Sequence, residues 1–158
     1  MEATSIEILL AGMDDEPEIA PVMAAFNQVE GIVWRPGSMI PALRRVLRES
    51  ELGLILVARD RASRAVVGYC LATFGYDLEF AGRDAFITEL FVESSARGRG
   101  YGQALLDSMV ESLRQHDTKA VHLMVRPENE RARSLYEGRG FDVSPRLMMT
   151  KLLTPDEA

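Results

Sequence analysis

The chain has 158 residues, 47% of them hydrophobic and 27% charged, which implies one globular domain over residues 1–158 with a sizeable core. Its formal net charge of −6 and pI near 5.0 argue against a nucleic-acid partner. No apolar run is long enough to cross a bilayer and no charged-then-apolar leader opens the sequence, so a cytoplasmic protein without a membrane partner is expected. The single Cys70 excludes an intramolecular disulfide, and two separated histidines, His116 and His122, give no basis for a metal centre.

Residues 6–10 read as a first strand. Ile19, Val22, Met23 and Phe26 then recur at helical spacing behind acidic residues that suit a helix start, and Gly31 ends that helix. A second helix is expected behind Ser38 as N-cap, with Ile40, Leu43 and Leu47 on one face and Gly53 just beyond it. Stretches 54–58 and 66–74 read as strands joined by the polar turn 60–64, an antiparallel hairpin. Cys70 lies in the second of them and reads as a buried structural thiol. After a turn at 79–84 comes a fourth strand, 85–92. Leu106, Met109, Val110 and Leu113 mark the buried face of a third helix over 103–116. A fifth strand at 121–125, a fourth helix at 129–139 and strands at 141–143 and 147–152 complete the order β-α-α-β-β-β-α-β-α-β-β. That order implies an α/β fold with a mixed sheet, antiparallel in its first half and crossing over through helices in its second. Alternation within a strand makes His122 structural, and His116, ending a helix, reads the same way.

Between the fourth strand and the third helix stands Arg97-Gly98-Arg99-Gly100-Tyr101-Gly102. A glycine-rich turn that opens a helix leaves backbone N–H groups facing outward with the positive end of the helix dipole behind them. Such a turn suits a phosphate, and alternate glycines let it approach the backbone. The competing reading is an ordinary strand-to-helix turn with solvated arginines. No Gly-Lys-Ser/Thr occurs for a P-loop, and Gln103 stands where a dinucleotide fingerprint needs its third glycine. Arg126 and Pro127 occupy the end of the next strand, where that fingerprint needs an acid.

The turn resembles the pyrophosphate loop of the GNAT superfamily of acyl-CoA N-acyltransferases, which has Gln or Arg, a glycine three residues on and Gly or Ala two further: here Arg97, Gly100 and Gly102. Residues 86–92 are similar to that family's fourth strand. Asn129, Ala132 and Tyr136, followed by Gly140-Phe141, are similar to its second motif on the fourth helix. The resemblance covers roughly residues 85–142. It implies the GNAT fold, in which the fourth and fifth strands splay apart and the pantetheine arm lies between them. It further implies acetyl-CoA as donor, an amine as acceptor, direct transfer and no metal. Residues Arg97, Gly98, Arg99, Gly100, Tyr101 and Gly102 would hold the pyrophosphate. Backbone of Leu90, Phe91 and Val92 would align the pantetheine arm, and an amide there would polarise the thioester carbonyl. Asn129 would lie near that arm as well as capping its helix, and Tyr136 would return a proton to the leaving thiolate. The rival reading of Tyr136 is a core aromatic whose hydroxyl meets water or backbone.

Glu89 stands out on physical grounds. Both alternating sets of its strand are mainly apolar, Phe86, Leu90 and Val92 on one and Ala85, Ile87 and Phe91 on the other, so the carboxyl is expected to be buried. Burial raises a carboxyl pKa toward neutrality, which a base for an ammonium substrate requires. An ion pair with an arginine, or a backbone hydrogen bond, is the structural alternative. Many GNAT relatives carry two adjacent acids here, whereas this chain has Thr88-Glu89; if the base belongs at the first position, Glu89 is a structural acid. Trp34 and Arg35 join the first two helices, a region that builds the acceptor pocket in relatives; Trp34 reads equally as a substrate wall or a core plug. Tyr76, Asp77 and Glu79 read as a solvated turn or as part of the same mouth. The acidic balance leans toward cationic acceptors: polyamines, aminoglycosides, or lysine and N-terminal amines of peptides. A non-catalytic acyl-CoA sensor is the rival function, and dimers among relatives leave a homodimer open.

Overall fold

The computed structural model describes residues 5–154. They fall into two compact units, one running to Met124 and the other from Val125. The first is built on a five-stranded sheet in the order β1 (Ile6–Leu10), β2 (Gly53–Asp60), β3 (Val66–Asp77), β4 (Gly82–Val92) and β5 (Ala120–Leu123). The first three pairings are antiparallel and the last is parallel. The mixed sheet expected from the sequence is thus present.

Three helices cover it. Helix α1 (Glu16–Glu30) buries Ile19, Val22 and Met23 on one stripe, carries Glu16 and Glu18 in its first turn and ends at Gly31, whose φ of 70° only glycine adopts freely. Helix α2 (Pro36–Arg48) starts two residues before the expected Ser38 cap. Pro36, with its fixed φ, opens the helix, and the Ser38 hydroxyl donates back to the Arg35 carbonyl at 3.3 Å. Both helices join Ile55, Val57, Tyr69, Leu71 and Phe91 in a core on one face of the sheet. Helix α3 (Tyr101–Gln115) packs on β2, β3 and β4 and buries Leu105, Leu106, Met109 and Leu113. Residues 53–58 of β2 are buried without a break, as a strand covered on both faces must be.

Strand β4 pairs with β5 only over Asp84–Ile87 and then runs on alone on that side to Val92. This is the splaying that the sequence leads one to expect.

The second unit contains α4 (Glu130–Glu137), capped by the Asn129 carboxamide accepting from Ala132 N at 3.2 Å. The strands expected at 141–143 and 147–152 are not formed among the described residues. Alternating apolar residues make a strand only where an edge offers hydrogen bonds, and this unit has no sheet of its own.

Candidate active site

The feature that positions the chemistry is one extra residue in β4. Leu71 faces Glu89 across the β3–β4 ladder, but Ala72 faces Ile87, so Thr88 is a bulge with no partner on β3. Paired residues share a face of a sheet. Ile87 therefore lies with Ala72 on the α3 side, and Glu89 and Phe91 lie with Leu71 and Tyr69 on the side of α1 and α2. The expected grouping of Ile87 with Phe91 fails for this reason. The bulge brings Thr88 and Glu89 to one cavity instead of letting them face apart.

That cavity measures about 210 Å³ and lies between α1, α2 and the β3–β4 ladder. Its walls are mainly apolar, with Met23, Trp34, Leu43 and Leu71 among them, and its polar lining comes from Asn27, Thr88 and Glu89. Trp34 packs on the core and also lines the cavity.

Glu89 Oε2 is buried and completes no hydrogen bond, and so is the Tyr69 hydroxyl beside it. The two are diagonal neighbours on one face, since Tyr69 pairs with Phe91 and Leu71 with Glu89. Loss of water pushes the Glu89 carboxyl above its ordinary value, and the nearby Tyr69 hydroxyl only partly offsets this by favouring the ionised form. Desolvation, then the Glu89 charge, pushes the Tyr69 phenol up and drives the Cys70 thiol up to about 12. Cys70 is fully buried and inert at neutral pH, as a structural thiol should be. A carboxyl raised on folding stabilises the fold fully below 4.5, and that contribution is lost as pH rises through the folded value. No arginine pairs with Glu89 among the described residues, so the ion-pair alternative fails.

At the other end of β4 the turn 97–102 has Gly98 and Gly100 at φ of 79° and 78°, where a side chain is strained. Gly100 caps α3 without offering a side chain to its first turn, and a Cβ at Gly98 or Gly100 would meet open space. At Gly102 it would meet only Val92 Cγ2, at 3.8 Å. The turn is therefore an accessible backbone surface at a helix start. Both arginines of the turn are exposed; Arg97 Nε donates to Val92 O at 2.9 Å and its guanidinium lies 5.4 Å from the centre of the Phe91 ring. Tyr101 is buried, its hydroxyl hydrogen-bonded to Ser5 Oγ; that bond, and next Arg99, hold its pKa below the ordinary value. Tyr101 thus ties the helix start to the residue just before β1, the first strand, while the backbone around it faces outward. Leu90, Phe91 and Val92 form the part of β4 that has no strand on the β5 side.

In the second unit Tyr136 sits in α4 with its ring edge-on to Phe141, centroids 6.0 Å apart. Phe141 N also donates to the Tyr136 carbonyl at 3.1 Å. Elsewhere, His122 Nε2 lies 3.1 Å from Asp84 Oδ2, and His116 Nδ1 lies 2.8 Å from the Ser112 carbonyl, two structural roles. Asp77 accepts from Glu79 N at 2.9 Å and so makes a turn, and the exposed Tyr76 does not line the cavity. Among the described residues no group of three or more His, Cys, Asp or Glu could hold a metal ion, and no helix is long and apolar enough to cross a membrane.

The Acetyltransferase (GNAT) family matches residues 20–141, which include β4, the glycine turn and α4. The chain belongs to the GNAT acetyltransferase family. GNAT enzymes are acyltransferases that use acetyl-CoA, and the chain shares their fold. It is 27% identical over 140 residues to the uncharacterized N-acetyltransferase YhfO of Bacillus subtilis (strain 168), covering 87% of this chain and 90% of that one. It is 44% identical over 61 residues to the mycothiol acetyltransferase of Beutenbergia cavernae, which is 37% of this chain but only 20% of that protein's length. Among solved structures, an integron cassette protein, HFX_CASS3, from the mobile metagenome of Cole Harbour Salt Marsh superposes with a TM-score of 0.84. The two are 25% identical over 98% of this chain and 95% of the other. Two residues of this GNAT site escape the sequence reading. Asn27 follows Met23 by four positions, so a polar residue on the buried stripe of α1 was the available signal. Tyr69 carried no such signal, being one aromatic in an apolar strand.

Proposed function

We propose that this chain transfers the acetyl group of acetyl-CoA to a primary amine held in the Thr88–Glu89 cavity. The single observation that carries the reading is the half-buried Glu89, whose Oε2 is buried and completes no hydrogen bond, lining a cavity just beyond the end of the β4–β5 pairing. Acetyl-CoA supplies an acetyl group already activated as a thioester. The outward-facing backbone of Gly98, Gly100 and Gly102 binds its pyrophosphate, and the unpaired edge of β4 at Leu90, Phe91 and Val92 orients its arm. Arg97 acts by bracing the turn against Val92 and Phe91, and Arg99 and Tyr101 by fixing the helix start.

Glu89 takes a proton from the ammonium, a role that the upward shift of its carboxyl favours. The amine nitrogen bonds the acetyl carbon as the carbon–sulfur bond breaks, and the Tyr136 hydroxyl supplies a proton to the departing sulfur. Asn129 fixes the start of the helix that bears Tyr136.

Thiol release from acetyl-CoA, followed with a panel of primary amines, tests this. Wild-type protein releases thiol in an amine-dependent way, and Glu89→Gln lowers the rate at neutral pH by about 10²-fold or more. Acetyl-CoA binding without thiol release for any amine would contradict transfer and favour an acyl-CoA-binding sensor.

A further inference from the structure

We infer that the acceptor is a compact primary amine with a single positive charge on an apolar body, selected by Asn27 together with the apolar wall around Trp34. This rests on the transfer reading above and narrows it.

The volume sets the first limit. At about 210 Å³ the cavity is smaller than the roughly 300–1,000 Å³ of sites that enclose drug-sized ligands, so an aminoglycoside does not fit inside it.

The charges set the second. Among the described residues Glu89 is the only charged one lining the cavity. One ionised carboxylate balances one ammonium. A second ammonium, as in a diamine or polyamine, would lie against methionine, leucine and tryptophan with no partner, and an unpaired buried charge is costly. A carboxylate, as in a free amino acid, would find no cation there either.

Hydrogen-bond polarity is the third. Asn27 is 2% exposed, and its Nδ2 donates to the Met23 carbonyl at 2.8 Å, which commits one of the two N–H bonds of its carboxamide. That bond fixes the carboxamide, and Oδ1 accepts no hydrogen bond among the described residues. Asn27 Oδ1, the Glu89 carboxylate and the Thr88 hydroxyl are thus all available as acceptors. An ammonium, with three N–H donors and no acceptor, is the complementary group. The remaining wall, including the Trp34 ring, suits an alkyl or aryl body. The overall acidic charge of the chain points toward polycations; the cavity lining points to a single charge.

The test compares three amines of similar length and different far ends: pentylamine, 1,4-diaminobutane and 4-aminobutanoate. Wild-type kcat/KM is expected to favour pentylamine over the other two by about tenfold or more. A preference for the diamine or the amino acid, or equal rates for all three, overturns the inference while leaving acetyl transfer standing. No thiol release with any of them, under conditions where acetyl-CoA binds, overturns transfer itself and the inference with it. Asn27→Asp adds a second carboxylate of the same size to the cavity. In folded protein with unchanged acetyl-CoA affinity it should raise the diamine-to-pentylamine ratio of kcat/KM by about tenfold, whereas an unchanged ratio removes Asn27 from the selection. The wild-type panel decides the charge question even if that variant does not fold.

Discussion

The turn at 97–102 is backbone, mostly exposed, and owes its shape to two positive-φ glycines, whereas the cavity bounded by Trp34 and Glu89 is made of side chains from four elements and carries one desolvated carboxyl. Each construction suits the ligand proposed for it. A pyrophosphate is large, highly charged and well hydrated, so a surface of amides that leaves water nearby binds it without a severe desolvation cost. An amine that must lose a proton needs a base of raised pKa, and only a water-poor pocket provides one. The two regions therefore respond differently to small changes. In the cavity a single hydroxyl shifts a proton equilibrium; in the turn a single methyl group changes how closely a ligand can approach.

The larger effect is expected in the cavity. Tyr69→Phe keeps the buried ring and removes only the hydroxyl beside the Glu89 carboxyl, so folding should change little. That hydroxyl favours ionised Glu89, so without it the carboxyl pKa rises further. The ascending limb of kcat/KM against pH should move to higher pH, lowering the rate at neutral pH by up to about tenfold, with recovery in alkali. An unmoved limb would separate Tyr69 from the base.

The turn should show a smaller and opposite pairing of effects. Gly102 lies within the first turn of α3, and a Cβ there meets nothing of the protein closer than Val92 Cγ2 at 3.8 Å. Gly102→Ala should stabilise the helix by up to about 1 kcal/mol. It should also weaken acetyl-CoA binding several-fold, because only a ligand close to the backbone meets the new methyl group. Melting and calorimetric titration on the same protein check both signs; a higher melting point with unchanged affinity would remove the phosphate role. Gly98 and Gly100 are poorer probes, since any side chain at their positive φ strains the turn itself.

The same contrast governs what could be read from the sequence. The turn is six consecutive residues, so its glycines and their spacing carry the whole signal. The amphipathic stripes of α1 and α3 and the β2–β3 hairpin were legible because their periods are local. The cavity is scattered over α1, α2, β3 and β4, and no spacing brings Asn27, Trp34 and Glu89 together. Thr88 forms a bulge without the glycine that often marks one, so strict alternation misassigned the faces beyond it. The start of α2 was written in Pro36, but Ser38 gave the more familiar capping signal. Residues 141–152 alternate like strands, but pairing depends on what an edge elsewhere offers, which no local pattern records.

The assignment of Glu89 as the base depends on its carboxyl holding a proton above its ordinary value, as loss of water dictates. The carboxyl stretch of Glu89, isolated as the infrared difference between wild type and Glu89→Gln and followed as pH is raised, measures this directly. The account predicts a protonated band that persists above 4.5, the ordinary value for this group. A band already lost at or below 4.5 would mean a solvated or paired carboxylate, and Glu89 would not be the base.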